Sequence, residues 1–455
     1  MGELVENITF WQWVLVIGTS ALLIFLSPIA KTATQFFTAK SKGKSPNFWM
    51  LSGSLIISWV FAKSIANASD LGFKYGVTGG LAYASYYASF LVAGVVIYRM
   101  RVVGGIESIH SFLGAKFGKV ALQLFSVVIA IRLFNEVWSN TMVIGLYFGD
   151  FGTSSFYASI IVFTLLTLIY SLKGGLSSSI FSDIIQMVLF GVLLIAILWL
   201  FNDQQDQKIE AVMQQGSFSF DSGLNLIIVG LIHSFSYPFH DPVMTDRGFI
   251  SAPKTTLQSF IVAGIVGGGV IFLFSLVGVF GKLNGAPSSE LSKFGELFGP
   301  IMLLLINFIM IVSAASTLDS SFSSASKLIA VDLKRGATLK VGRVSMLVFA
   351  IAGTIPLFFN PAILSATTIS GVMVIGLTPV FIFWRMNAPK LSYFLSVLIG
   401  IGCGLILALE AVPNDFIFIN GPYKELLSVT LIALVLVFLA YFIPVGVQKL
   451  QHEKH

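Results

Sequence analysis

The stretch ISWVFAKSIANASDLGFKYG, residues 57–76, sets Lys63, Ser64, Asn67, Ser69 and Asp70 within eight residues of an otherwise apolar run. A second such stretch, GLIHSFSYPFHDPV at residues 230–243, carries His233, Tyr237, Pro238, His240 and Asp241. A helix facing lipid tolerates neither pattern, because hydrocarbon offers no partner to a polar side chain. Pro238 also removes a backbone donor and clashes with the preceding turn, freeing carbonyl groups that need partners in a cavity or a neighbouring helix. Each stretch opens a run of five apolar segments, over about 47–201 and 223–384. Interrupted helices in corresponding positions of two halves are the sequence pointer to an inverted-repeat transporter with its site near the bilayer midplane. The alternative is one proline kink and one polar helix inside an ordinary bundle.

Composition sets the solvent. The 455 residues are 56% hydrophobic and 11% charged, with a mean hydropathy of +0.90, whereas soluble domains carry about 25% charged residues. Apolar runs of about 20 residues, each able to span the hydrocarbon core as one helix, recur at about 9–30, 47–72, 77–98, 120–147, 154–172, 176–201, 223–245, 256–281, 297–326, 341–359, 361–384, 391–410 and 425–446. The expectation is an all-α polytopic membrane protein of about thirteen transmembrane helices. The alternating pattern of a β-barrel is missing from these runs. The first run follows Glu3 and Glu6 rather than a basic segment, so it reads as a spanning helix and not a signal peptide.

The net charge of +6 does not indicate a nucleic-acid partner, since the basic residues lie scattered between apolar spans. With the N-terminus outside, 20 of the 27 Lys and Arg residues fall in cytoplasmic connections, Arg247 among them, and five fall outside: Lys74, Lys208, Lys282, Lys293 and Lys424. The bias predicts a multi-pass protein of the cell membrane with a cytoplasmic C-terminus. Only Lys63 and Arg132 lie inside spans. The chain divides into a first helix and basic link (1–46), a five-helix repeat (47–201), an external loop (202–222), a second repeat (223–385), and two terminal helices with a short tail (386–455). No connection is long enough for a soluble catalytic domain, and the lone Cys403 excludes an intramolecular disulfide. The expectation is not an enzyme and no cofactor.

In VSAASTLDSSFSSASK, residues 312–327, Ser313, Ser316, Thr317 and Ser320 recur at i, i+3, i+4 and i+7, one helical face. Hydroxyls and freed carbonyls are hard oxygen ligands that can replace the hydration shell of a small cation. Equally, small hydroxylated residues allow close helix packing and bond back to their own carbonyls.

Four stretches, GGLSSSIFSDIIQ (174–186), SAASTLDSSFSSASKLIAVDL (313–333), DPVMTDRGFISA (241–252) and FFTAKSKGKSPNFWM (36–50), resemble landmarks of the sodium/solute symporter family. The resemblance covers about residues 30–385 and implies thirteen helices around a core of five plus five inverted repeats, the LeuT-type fold. It implies a sodium site of carbonyl oxygens at Ala62 and Ile65 with the hydroxyls of Ser313, Ser316 and Thr317. Asp183 matches an aspartate associated with the ion's cytoplasmic path, and a cap or charge pair is the other reading of it. SDLGFKYGVTGGLAYAS (69–85) is similar to the family's urea-permease branch, from which HDPVMTDR departs.

Charges inside spans need partners. Lys63 follows Ala62 where the family has a small residue, so its ammonium is expected to meet Asp70, Asp319 or Glu136, and to modify or replace the ion, or to snorkel to the interface. Arg132 and Glu136 lie four apart, a self-neutralising pair, and Glu136, Asn140 and Trp138 are also candidates to hydrogen-bond a solute. Tyr237 and His240, with Ser64, Asn67 and Ser69, complete the cavity candidates, while Arg132 and Asp319 are candidates for charge compensation. His233 and His240 do not make a transition-metal site, because Pro238 breaks the helix between them. The reading is cation-coupled symport, with sodium as the ion, of a small polar solute by alternating access among membrane lipids. A proton-coupled or cation-independent facilitator and a membrane sensor stand as alternatives. The solute's identity and the oligomeric state are not set by the sequence.

Overall fold

In lipid every backbone donor and acceptor must be satisfied within the segment, and the apolar runs accordingly form helices. A computed structural model describes residues 7–39, 44–203, 209–293, 297–359 and 362–452. Lys40, Lys42, Lys208 and Lys454 lie outside the described residues. The helices are α1 (Ile8–Leu26), α2 (Ala33–Thr38), α3 (Phe48–Trp59), α4 (Ala62–Ala84), α5 (Ala88–Val102), α6 (Ile109–Phe117), α7 (Lys119–Gly145), α8 (Ser154–Gly174) and α9 (Leu176–Asp203). There follow α10 (Leu224–His233), α11 (Pro242–Gly248), α12 (Pro253–Leu283), α13 (Pro300–Lys327), α14 (Leu339–Gly353), α15 (Ser365–Met373), α16 (Leu377–Ile382), α17 (Lys390–Ala408) and α18 (Lys424–His452).

Ten helices among the described residues are long and apolar enough to cross a membrane, against the thirteen spans expected. The difference lies in how spans are interrupted. The second is split, α3 ending at Trp59 and α4 starting at Ala62, with Val60 (φ −76°, ψ 64°) and Phe61 (φ −62°, ψ 150°) between them. Its second half turns into the third span at Gly76, whose φ of 64° and ψ of −146° reverse the chain without ending the hydrogen-bonded run. A Cβ there would lie 2.2 Å from the Gln215 carbonyl oxygen. The seventh span is split between α10 and α11, with one 3₁₀ turn at Tyr237–Phe239. The eleventh is split as well, at residues 374–376 between α15 and α16, where the sequence reading takes one continuous helix. Gly376 and Pro379 mark the break in an otherwise apolar run: a Cβ on Gly376 would meet the Ser396 carbonyl oxygen at 2.1 Å, and Pro379, in the first turn of α16, has no amide hydrogen to bond back across it.

The helices pack as two groups. The central helix of one is α12, packed on α3, α4 and α5; the central helix of the other is α13, packed on α7, α8, α9 and α14. Both halves of the first interrupted span also touch α13, which puts the break between the groups. Close approach of α4 and α12 requires glycine: a Cβ on Gly72 would fall 2.0 Å from the Ser275 carbonyl oxygen, and one on Gly278 would fall 1.9 Å from that of Ser69. Small residues of this kind let membrane helices meet backbone to backbone.

Gly278→Ala is therefore expected to destabilise the protein by about 1–3 kcal/mol through overpacking, read as a lowered Tm in detergent. Gly269→Ala, on the open face of the same helix with nothing within 4 Å, is expected to leave Tm unchanged or raise it, since alanine is the better helix former. Equal effects of the two substitutions count against the close contact of α4 and α12.

Candidate functional site

The second- and seventh-span interruptions meet. Trp59, last residue of α3, donates its indole N–H to Asp241 at 3.0 Å, and Asp241 is the N-cap of α11, accepting from the Met244 amide at 3.2 Å. The Trp59 carbonyl, freed by the break, accepts the Tyr87 hydroxyl at 2.5 Å. Arg132, on α7, donates to the same Asp241 carboxylate at 2.8 Å and also pairs with Glu136. Glu136 in turn receives the Lys63 ammonium. The side chains of these four charged residues are at most 3% exposed. Two cations and two carboxylates thus neutralise one another, as charges removed from water require.

Of the three acids proposed for Lys63, the structure selects Glu136. Asp70 is instead held by Lys74 at 2.8 Å and Ser289 at 2.5 Å. Asp319 accepts from Ser179 at 2.9 Å and Ser182 at 2.6 Å. Asn140 joins both partners of the pair, donating to Glu136 at 3.1 Å and accepting from the Lys63 amide at 3.2 Å. Aromatic faces line the cluster: Phe61 lies 5.0 Å from the Lys63 ammonium, and the Arg132 guanidinium lies 5.1 Å from the Tyr237 ring centre. The His240 ring stands edge-on against Tyr237 at 4.7 Å. Next to these, Ser64 is 3.2 Å and Asn67 3.5 Å from the Tyr83 hydroxyl. Ser69 is not with them, because its carbonyl faces Gly278 of α12.

A second buried cluster surrounds α13. Ser316 donates to Asp183 at 2.6 Å, and Thr317 donates back to the Ser313 carbonyl at 2.9 Å, the bond expected of a packing hydroxyl. Ser313, Ser316 and Thr317 are at most 1% exposed, and the Ser313 hydroxyl has no partner among the described residues. Ala62 and Ile65 are fully buried in the first turn of α4, one and four residues past Phe61, so the backbone break itself falls at Val60 and Phe61. Asp183 is a charge-paired residue: Arg247 reaches it at 2.9 Å and Ser54 at 2.5 Å. Arg247 corrects the sequence reading, which counts it in a cytoplasmic connection. It lies in α11, fully buried. Ser320 accepts from Arg247 at 2.9 Å and sits 3.2 Å from Ser58 of α3, so it joins the cluster.

Arg247 and Asp241 are the functional-site residues that sequence reasoning missed as partners. The signal was present: DPVMTDRG carries three charges in eight residues within a chain that is 11% charged. The third of these charges, Asp246, pairs with Lys327 and accepts from Ser324 at 2.9 Å. Nearby, His110 of α6, outside the spans, faces Asp332 at 3.6 Å, and burial holds its imidazole below the ordinary value. At the opposite end of the molecule a cavity of about 480 Å³ opens, lined by Asn67, Asp70, Lys74, Val143, Ile363 and Tyr423 among others. No group of three or more His, Cys, Asp or Glu able to hold a metal ion occurs among the described residues.

No family model matches the chain. It is similar to solute carrier family 5 member 4A of Mus musculus, 24% identical over 193 residues, 40% of this chain and 27% of that one. It is 29% identical over 162 residues to a sodium/glucose cotransporter of Vibrio parahaemolyticus, covering 34% of this chain and 28% of that one. A urea active transporter of Saccharomyces cerevisiae is 21% identical over 278 residues, 54% of this chain and 36% of that one. The chain thus spans about a quarter to a third of the length of these curated relatives. Among solved structures, a sodium-coupled sialic acid symporter matches with a TM-score of 0.71 over 94% of this chain and 98% of that one, at 16% identity. A nucleobase-cation-symport-1 family transporter in a closed conformation matches with a TM-score of 0.57 over 90% and 96%, at 11% identity. The resemblance to sodium/solute symporters therefore holds, and the chain is an all-α, multi-pass membrane protein with the LeuT-type fold of sodium-coupled transporters.

Proposed function

We propose that the protein is a sodium-coupled symporter of a small polar solute, working by alternating access in the cell membrane with its N-terminus outside and its C-terminus in the cytoplasm. Two interrupted helices meeting at Trp59 and Asp241, beside a row of buried hydroxyls on α13, carry this reading. The relatives' own sodium coupling, stated in their names, supports it.

Sodium binds, in this reading, to the carbonyl oxygens of Ala62 and Ile65 and the hydroxyl oxygens of Ser313, Ser316 and Thr317. The unpartnered Ser313 hydroxyl supports the assignment, since a buried oxygen without a donor is costly unless something occupies it. Ser316 and Thr317 each spend their proton on an acceptor, which leaves their oxygens free to face a cation. Lys63 directs its ammonium to Glu136 and away from this row, which supports sodium rather than the lysine as its occupant. Asp183, one hydrogen bond from Ser316, then lies on the ion's way to the cytoplasm. Residues 47–201 and 223–385 form the two repeats that rock past one another.

The 480 Å³ cavity is the external vestibule, and the Lys327–Asp246 pair closes the cytoplasmic side of this conformation. Sodium binding that favours the solute-accepting state raises solute affinity, and the solute raises sodium affinity by the same factor.

Sodium-driven uptake into liposomes tests the ion site. Ser316→Ala and Thr317→Ala are each expected to raise the half-saturating sodium concentration at least tenfold, with the solute KM at saturating sodium little changed. Unaltered sodium dependence in both variants refutes these ligands. Orientation is tested in a Cys403→Ser background with a membrane-impermeant maleimide on intact cells. Ser217→Cys is expected to label at once and Ala337→Cys only after permeabilisation. The reverse pattern overturns the topology.

A further inference from the structure

We infer that the transported solute is dipolar, carrying one cationic and one anionic group, and that it inserts between Lys63 and Glu136. The inference rests on the symport reading and adds the class of solute. The vestibule is framed by α4 and α7, and it reaches inward to Ala66 and Asn67 on the one and to Met142 and Val143 on the other. One helical turn further in, about 5.4 Å, α4 carries Lys63; on α7 the next turns inward carry Asn140 and then Glu136. A solute descending the vestibule therefore meets the Lys63–Glu136 pair as its floor, at the level where both helix breaks lie.

Charge conservation then restricts what can open that floor. A solute carboxylate taking Lys63 while a solute ammonium takes Glu136 leaves every buried charge with a partner and the site neutral before and after. The other pair is undisturbed, since Asp241 is held by Arg132, by the Trp59 indole and by the Met244 amide. A neutral solute that parts Lys63 from Glu136 leaves the ammonium unpaired in a dry interior, and a net anion leaves Glu136 with only an arginine already shared with Asp241. Either carries the penalty of an uncompensated buried charge.

Unused hydrogen-bonding groups beside the pair have the matching polarity. Arg132 Nε is a buried donor with no partner among the described residues. His240 Nδ1 faces the Tyr237 carbonyl at 2.5 Å, so that nitrogen carries the proton and the neutral ring's Nε2 is an acceptor. It too is buried, 1% exposed for the residue, with no partner among the described residues. One spare donor suits a carboxylate, and one spare acceptor suits an ammonium.

The full chain in liposomes with an inward sodium gradient decides this, using alanine, proline and 4-aminobutyrate as dipolar solutes against propionate, ethylamine, urea and glucose. At least one dipolar solute is expected to accumulate, at ten or more times the level of propionate and ethylamine. Accumulation of urea, glucose or propionate with no dipolar solute transported overturns the inference and leaves sodium symport standing. If nothing accumulates, the symport reading fails, and a rise in Tm in sodium chloride on adding a dipolar solute alone decides for the inference, its absence against. Lys63→Met combined with Glu136→Gln removes both charges together and is expected to raise the dipolar solute's KM at least tenfold. An unchanged KM overturns the assignment to this pair, and the wild-type panel decides the solute class even if that variant fails to fold.

Discussion

The structure depends on one constraint: charge placed between helices in a membrane has no water to fall back on. Lys63, Arg132, Glu136 and Asp241 meet it as a closed set, each carboxylate touching at least one cation and each cation at least one carboxylate. That set fixes more than itself. Because its members come from α4, α7 and the start of α11, forming it requires α3 to stop before Lys63 and α10 to stop before Asp241. The interruptions in turn expose backbone groups: the Tyr87 hydroxyl satisfies the Trp59 carbonyl, and the Asp241 carboxylate, which also takes the Trp59 indole, satisfies the Met244 amide. Buried ion pairs contribute little net stability and much penalty when half removed, so this network is better understood as specifying an arrangement than as strengthening it.

Much of this arrangement is legible from residue type alone. Polar residues crowded into an apolar run mark both interruptions, and the i, i+3, i+4, i+7 spacing puts Ser313, Ser316, Thr317 and Ser320 on one face of α13, which is buried all round over residues 309–326 and brings Ser316 and Ser320 to the Asp183–Arg247 pair. That Lys63 needs an acid also follows from hydrocarbon. Which acid does not, because a linear pattern gives the angle of a residue about its own helix but not the rotation of one helix against another. The third interruption, at residues 374–376, escaped for a different reason: Val374, Ile375 and Gly376 are apolar or small, so hydropathy does not separate this broken span from an intact one, and the available signal was Pro379 just beyond it, which lacks the amide hydrogen of a continuing helix.

Arg247 was hidden by a rule that usually serves well. Basic residues beyond an apolar run read as cytoplasmic, and the bias they produce is real. Arg247, however, follows Pro242 and Asp246 in α11, and its guanidinium turns inward to Asp183, Ser54 and Ser320. A guanidinium offers several donors in a fixed fork, which lets one side chain serve a carboxylate and two hydroxyls from three other helices. Lysine has neither the reach across that spread nor the geometry. The identity of the residue, rather than its position, was the available clue.

The short helix α11 draws these observations together. Asp241 at its N-cap belongs to the central ion-pair set, Arg247 to the hydroxyl and acid cluster on α13, and Asp246 to the pair with Lys327 at the C-terminal end of α13. Its seven residues make about two turns, too short to bend appreciably. A displacement that alters one contact must therefore alter the others or break the helix, and close-packed surroundings do not allow gradual adjustment. The chain joins its central charges, its oxygen-rich row and the Lys327–Asp246 pair through one rigid body, which is the physical requirement for separate sites to influence one another without touching.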